Sequence, residues 1–330
     1  MKKYFNVMIA CFFVLLAGAC VSAGSELSVA KKPLPNVDIL NGYVLPGEFH
    51  VYIAFGQSNM QGPGEIRAQD RENVSERFRI INTVAGNYAG GLREKHLMYR
   101  AAPPLIIPDR NLVNYLGLNT GLTPIDYFGR TLIANIANDI TIGVIAVANG
   151  DMALAAFHKT KADDYYKGIG TLGSRPSQTE MQGMNRYKGA DYANMYEAII
   201  INAKLAQKAG GVIKGIIVHQ GESGAGLEDY DWDEILKEIY NDMLSDLGLA
   251  PNSIPILLGQ TWNGGAGNTK GALSSDSRIQ SVLPNAWIVS SLGATGRTGQ
   301  GQPDNIHFGS AGLELLGRRY GEKMLELVYR

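Results

Sequence analysis

Five short apolar runs recur along this chain, each closing in a polar or glycine-containing turn and each followed by a stretch with helical spacing. The runs are residues 50–54, 142–148, 215–219, 256–258 and 287–290. Between them, 123–138, 191–209, 232–247 and 273–282 repeat apolar residues at helical intervals, and a last helical pattern passes through Leu313, Leu316, Tyr320, Met324 and Leu327. Parallel strands need crossovers, and crossover helices cover both faces of the sheet. The alternation therefore predicts a three-layer α/β/α fold around a mostly parallel, five-stranded sheet. Thr123-Pro124-Ile125-Asp126 marks one helix start, with a capping hydroxyl, a first-turn proline and an acid at the third position.

Open sheets of this kind bind ligands beyond the carboxyl ends of their strands. The first run leads into Phe55-Gly56-Gln57-Ser58-Asn59-Met60, which brings a serine to that edge. A serine there is placed either to act as a nucleophile or merely to cap the next helix. Asp304-Asn305-Ile306-His307 stands on the expected loop into the last helix, where an acid three residues before a histidine can fold back and fix its tautomer. The bland alternative is a helix start capped by Ser310 with Asp304 in solvent. The third run ends in His219-Gln220-Gly221-Glu222-Ser223; Gln220 carries an amide able to donate to a developing oxyanion. His219, at a strand end, is expected to be structural.

Gly-Gln-Ser-Asn-Met, His-Gln-Gly-Glu-Ser and Asp-x-x-His-Phe, in this order, resemble the sialate O-acetylesterase-like branch of the SGNH hydrolases, which includes the acetylxylan esterases of carbohydrate esterase family six. The resemblance extends to residues 126–131, 143–148, 211–215 and 316–320, and so covers about 48 to 328. It implies a flavodoxin-like fold and removal of O-acetyl groups from carbohydrates, acetylated xylan first, with sialic acids or pectic sugars as alternatives. Ser58 would be the nucleophile, His307 the base and acid, and Asp304 the orienting carboxylate, with Glu222 the competing or auxiliary acid. Ser58, Gly150 and Gln220 would supply oxyanion donors, beside the neighbours Gln57, Asn59 and Asn149. One position departs from the pattern: relatives commonly carry two glycines after the second strand, whereas this chain has Gly150-Asp151. A carboxylate facing the oxyanion would oppose catalysis.

The chain opens with Lys2-Lys3, an apolar segment from Val7 to Ala19, and small residues to Ala23. That is the layout of a secretory signal peptide over 1–23, and it is too short for a membrane span. Ala17-Gly18-Ala19-Cys20 resembles a bacterial lipobox, and Val21-Ser22-Ala23 offers an ordinary cleavage site instead. The expectation is an exported protein, periplasmic or at the outer membrane or cell surface, touching membrane only through a lipid on Cys20. Residues 24–47 read as a tether or irregular lead-in, and 48–330 as a single domain.

Both cysteines, Cys11 and Cys20, fall in the leader, which excludes thiol chemistry and disulfides from the mature domain. Net charge moves from −1 to −3 once Lys2 and Lys3 are removed, a balance that points away from nucleic acid. No histidine pair has metal-ligand spacing, and the glycine-rich stretch 293–301 lacks the lysine of a phosphate loop, so neither metal nor cofactor is expected. Long irregular stretches at 65–122 and 157–187 are candidate substrate loops. Tyr165, Tyr166 and Tyr187 in the second are read either as sugar-stacking residues or as residues packed on the domain. The rival class is a carbohydrate-binding surface protein that has lost catalysis.

Overall fold

The computed structural model describes residues 33–88, 90–107, 119–167, 178–222, 231–261, 278–299 and 302–330. Strand β1 (Glu48–Gly56) is the centre of a seven-stranded sheet. The others are β2 (Phe78–Ile81), β3 (Met98–Arg100), β4 (Ile140–Ala148), β5 (Gly211–His219), β6 (Ile256–Gly259) and β7 (Ala286–Val289). Their order across the sheet is β7-β6-β5-β1-β4-β2-β3, parallel throughout except for β3, which runs antiparallel at one edge. The five expected strands are present. Two more, β2 and β3, come from the stretch read as irregular.

Alternation along β1 separates two cores. Val51, Ile53 and Phe55 join one face with Ile145, Val147, Ile216 and Val218, while Tyr52 and Ala54 join the other with Val144, Ala146 and Ile217. The first face is covered by the helices Met195–Lys208 and Trp232–Asp246, the second by Pro124–Asn135 and Ser310–Val328. Thr123 caps Pro124–Asn135 as its sequence predicts: its Oγ1 accepts from Ile125 N, and Asp126 Oδ2 accepts from Thr123 N, both at 2.9 Å. Before β1, Ile39 is buried and Leu34, Val37 and Leu45 pack on the core, so residues 33–47 are a packed lead-in. The leader expected over 1–23 and the start of the segment after it lie outside the described residues.

Register decides where the site forms. In β1 Gly56 is abreast of Ala148 on one side and His219 on the other. The residues that follow these three strand ends, Ser58, Gly150 and Gln220, are thereby brought to one edge. Gly56 is obligatory for this approach, because a Cβ there would lie 2.0 Å from His219 O. The Asp304-His307 stretch corrects the sequence reading. It is a strand, β9 (Gln302–Phe308), paired antiparallel with β8 (Gly296–Gly299), rather than a loop.

Candidate active site

Ser58 opens a four-residue helix, α1 (Ser58–Gln61), that turns directly out of β1 and ends at Gly62, whose N–H returns to Ser58 O. Its Oγ lies 2.9 Å from His307 Nε2, and both side chains are buried except for a small exposed part, Ser58 at 5 % and His307 at 8 %. With the ring proton on Nδ1, the serine hydroxyl donates to Nε2, the arrangement in which imidazole can take the proton during attack. Asp304 stands on β9 with His307, and its side chain lies outside the described residues.

Glu222, the competing acid, is turned elsewhere. Its side chain is 1 % exposed, and Oε1 accepts from Asn59 Nδ2 at 2.6 Å and lies 3.2 Å from His219 Nε2. The last contact lacks the direction of a hydrogen bond, and Oε2 has no donor among the described residues. Burial works to raise the Glu222 pKa, but the neighbouring His219 charge, its contact with that ring and the Asn59 hydrogen bond together hold it below the usual carboxylate range. His219 is fixed on its other side by Tyr320, with Nδ1 3.1 Å from the hydroxyl. Gly259 leaves room for that pair, since a Cβ there would fall 1.8 Å from Tyr320 Oη and 2.3 Å from His219 Nδ1.

Gln220 is fully buried, and its amide is already committed. Nε2 donates to Met152 O at 2.9 Å and, more weakly, to Gln57 Oε1 at 3.4 Å, while Oε1 accepts from Trp232 Nε1. In place of the expected oxyanion donation, the geometry gives this residue the task of tying the loops after β1, β4 and β5 together. Gly150 is close to Ser58, because a Cβ built on it would lie 3.7 Å from Ser58 Cβ. Its N–H donates to Gln61 Oε1 at 2.7 Å. Asn149 is buried, donates from Nδ2 to Gly150 O at 3.0 Å and accepts from Arg186 at 3.1 Å, which fixes the turn.

Asp151 is exposed and adopts φ +64°, the left-handed conformation that glycine takes without cost. That backbone accounts for a glycine being acceptable here and places the aspartate on the solvent side of the turn. The tyrosines read as possible sugar platforms are core residues: Tyr165, Tyr166 and Tyr187 are 3 %, 7 % and 0 % exposed. Tyr187 Oη accepts from Ala148 N and Tyr166 Oη donates to Ala156 O, so burial leaves their hydroxyls satisfied. In the sequence Asn59 is marked only as a neighbour of the serine, and no motif singles out Gln61 or Trp232. The position of Asn59 directly after Ser58 was the one available signal for it.

The sequence model of a protein family described as carbohydrate esterase, sialic acid-specific acetylesterase, matches residues 48–326. Among solved structures, NanS is similar with a TM-score of 0.60 and 17 % identity, over 86 % of this chain and 98 % of that one. A protein from Arabidopsis thaliana is similar at 0.55 and 19 %, over 84 % and 98 %. XAC1771, a carbohydrate acetylesterase from Xanthomonas citri, is similar at 0.51 and 16 %, over 85 % of this chain and 57 % of its own. At these identities the likeness concerns the fold.

Proposed function

The chain belongs to the sialic acid-specific acetylesterase family of carbohydrate esterases, and from that premise we propose that it is a serine esterase removing O-acetyl groups from carbohydrates. The observation that carries this reading is the 2.9 Å contact between Ser58 Oγ and His307 Nε2 at the carboxyl edge of the sheet. Ser58 Oγ attacks the acetyl carbon while its proton passes to His307, and the carbonyl oxygen takes up the negative charge. The backbone N–H of Ser58 and that of Gly150 are the donors assigned to this oxyanion, the second after the substrate oxygen replaces Gln61 Oε1. Collapse expels the sugar oxygen, which takes the proton from His307 and leaves the acetyl group on Ser58. Water, deprotonated by the same histidine, then releases acetate and restores the serine.

Asp304, three residues before His307, is the proposed orienting carboxylate. Asp304→Asn is expected to lower kcat in a folded protein, because an amide does not stabilise imidazolium. Acetylated xylan is the substrate assigned from the motif resemblance. The description of the family favours a second reading, an O-acetylated sialic acid. With the leader read above, the enzyme works outside the cytoplasm, either lipid-anchored at Cys20 or released.

Acetate release from acetylated xylan, acetylated pectin and O-acetylated sialic acid tests the assignment, with Ser58→Ala as control. Fastest release from xylan supports the first reading, and fastest release from sialic acid selects the second. No release above the Ser58→Ala background from any substrate would discard the esterase and leave a carbohydrate-binding protein.

A further inference from the structure

Asn59 makes a two-point grip on the strand that carries His307. Its Nδ2 donates to Ile306 O at 3.1 Å, and its Oδ1 accepts from Phe308 N at 3.1 Å. In a strand the carbonyl before a residue and the N–H after it point to the same side, so one carboxamide binds both peptides that flank His307. A side-chain amide has the donor and acceptor of a peptide group, and Asn59 stands in for a neighbouring strand at this point. Because Asn59 is the residue after Ser58, the element that aims the nucleophile also holds the backbone of its base.

The grip has its own support. The second Nδ2 proton goes to Glu222 Oε1 at 2.6 Å, which sets the amide's orientation and uses all of its hydrogen-bonding groups. Glu222 is in turn held against His219, 3.2 Å away, and His219 against Tyr320. The Tyr320 hydroxyl also lies 3.0 Å from Val218 O, which fixes its place beside the ring. His219 Nε2 faces a carboxylate oxygen that already accepts from Asn59. Burying Glu222 against this ring costs desolvation unless the geometry is supported, and here Asn59 holds the carboxylate and Tyr320 holds the ring.

We infer that Asn59 and Glu222 are positioning residues for the reaction, acting through the backbone of His307 rather than on its ring. The inference rests on the esterase reading above. It assigns Glu222 a different part from that of an acid partner: Glu222 orients Asn59, Asn59 fixes the direction of the His307 Cα–Cβ bond, and the Ser58 to His307 distance follows. Loosening this chain displaces the base without removing a substrate contact.

The test uses the full chain and p-nitrophenyl acetate. Glu222→Gln keeps the shape of the side chain and an acceptor for Asn59 but removes the charge facing His219; Asn59→Ala removes the grip. We expect kcat to fall roughly 10- to 100-fold in each, more in Asn59→Ala, with KM within about twofold of the parent. Combined with His307→Ala, neither change should slow the enzyme further. Unchanged kcat in folded Glu222→Gln, a rise in KM in place of a fall in kcat, or losses that multiply with that of His307→Ala would each overturn the inference. Should Asn59→Ala not fold, Glu222→Gln and its combination with His307→Ala decide alone. Full activity in His307→Ala would instead sink the esterase reading itself, a result separable from failure of the grip.

Discussion

Gln61 Oε1 accepts the Gly150 N–H at 2.7 Å, so an amide beside Ser58 is already satisfied. Gln61 is fully buried three residues after Ser58, on the same short helix, and in the proposed mechanism the substrate oxygen displaces its oxygen from that donor. A donor that must exchange one acceptor for another gains less in the transition state than one left waiting.

Replacing the acceptor while keeping the volume tests this exchange. Gln61→Met is expected to raise kcat/KM for p-nitrophenyl acetate by up to about tenfold, the equivalent of roughly 1.4 kcal/mol. A loss of similar size in a folded variant would show that the Gln61 contact holds the Gly150 turn in shape and does not compete with substrate.

Asp126 couples stability to pH. Burial pushes its carboxyl up to about 7, although the hydrogen bond from Thr123 N lowers it, and Oδ1 has no donor among the described residues. The folded chain therefore keeps this proton to higher pH than the unfolded chain, and stability drains away as pH climbs between the two values. Asp126→Asn keeps an acceptor for Thr123 N and removes the charge. Its melting temperature relative to the parent should rise from about pH 5 to about pH 8. A constant or shrinking difference would place the carboxyl in its ordinary range.

Asp151→Gly tests the solvent-side placement of Asp151. An exposed residue at φ +64° should leave turnover nearly unchanged and stability within about 0.5 kcal/mol when replaced by glycine. Asp151→Val should destabilise instead, because a β-branched side chain does not accept that backbone. Melting curves and p-nitrophenyl acetate turnover of both variants check this. A large loss of turnover in folded Asp151→Gly would mean that the carboxylate touches substrate.

Much of this architecture was legible in the sequence because each central strand is a near-continuous apolar run buried on both faces, as β4 is from Thr141 to Ala148. Strands β2 and β3 were not, since they have four and three residues and β3 ends in the exposed Arg100 at the sheet edge. β9 is not legible as a strand because Pro303, Asp304 and Asn305 are poor strand formers, yet hairpin pairing of Thr298 with Pro303 and Gly296 with Phe308 holds it extended. Ser58 and His307 could be found from short motifs. The roles of Asn59, Gln61 and Gln220 could not, because each depends on which partner the fold brings within 3 Å or so. Asn59 meets the histidine strand across a separation of 247 residues, and Gln220 looks from its motif like a donor aimed at substrate until Met152 and Trp232 are seen around it.

The measurement that bears most directly on the central claim is turnover of p-nitrophenyl acetate by Ser58→Ala, His307→Ala and the double variant, each checked for a native melting transition. On the proposed reading Ser58 and His307 form one proton-transfer unit, so each single change should remove most of the activity, and the double variant should be about as slow as either single. Near-normal turnover in either single variant, or losses that multiply in the double, would contradict the account.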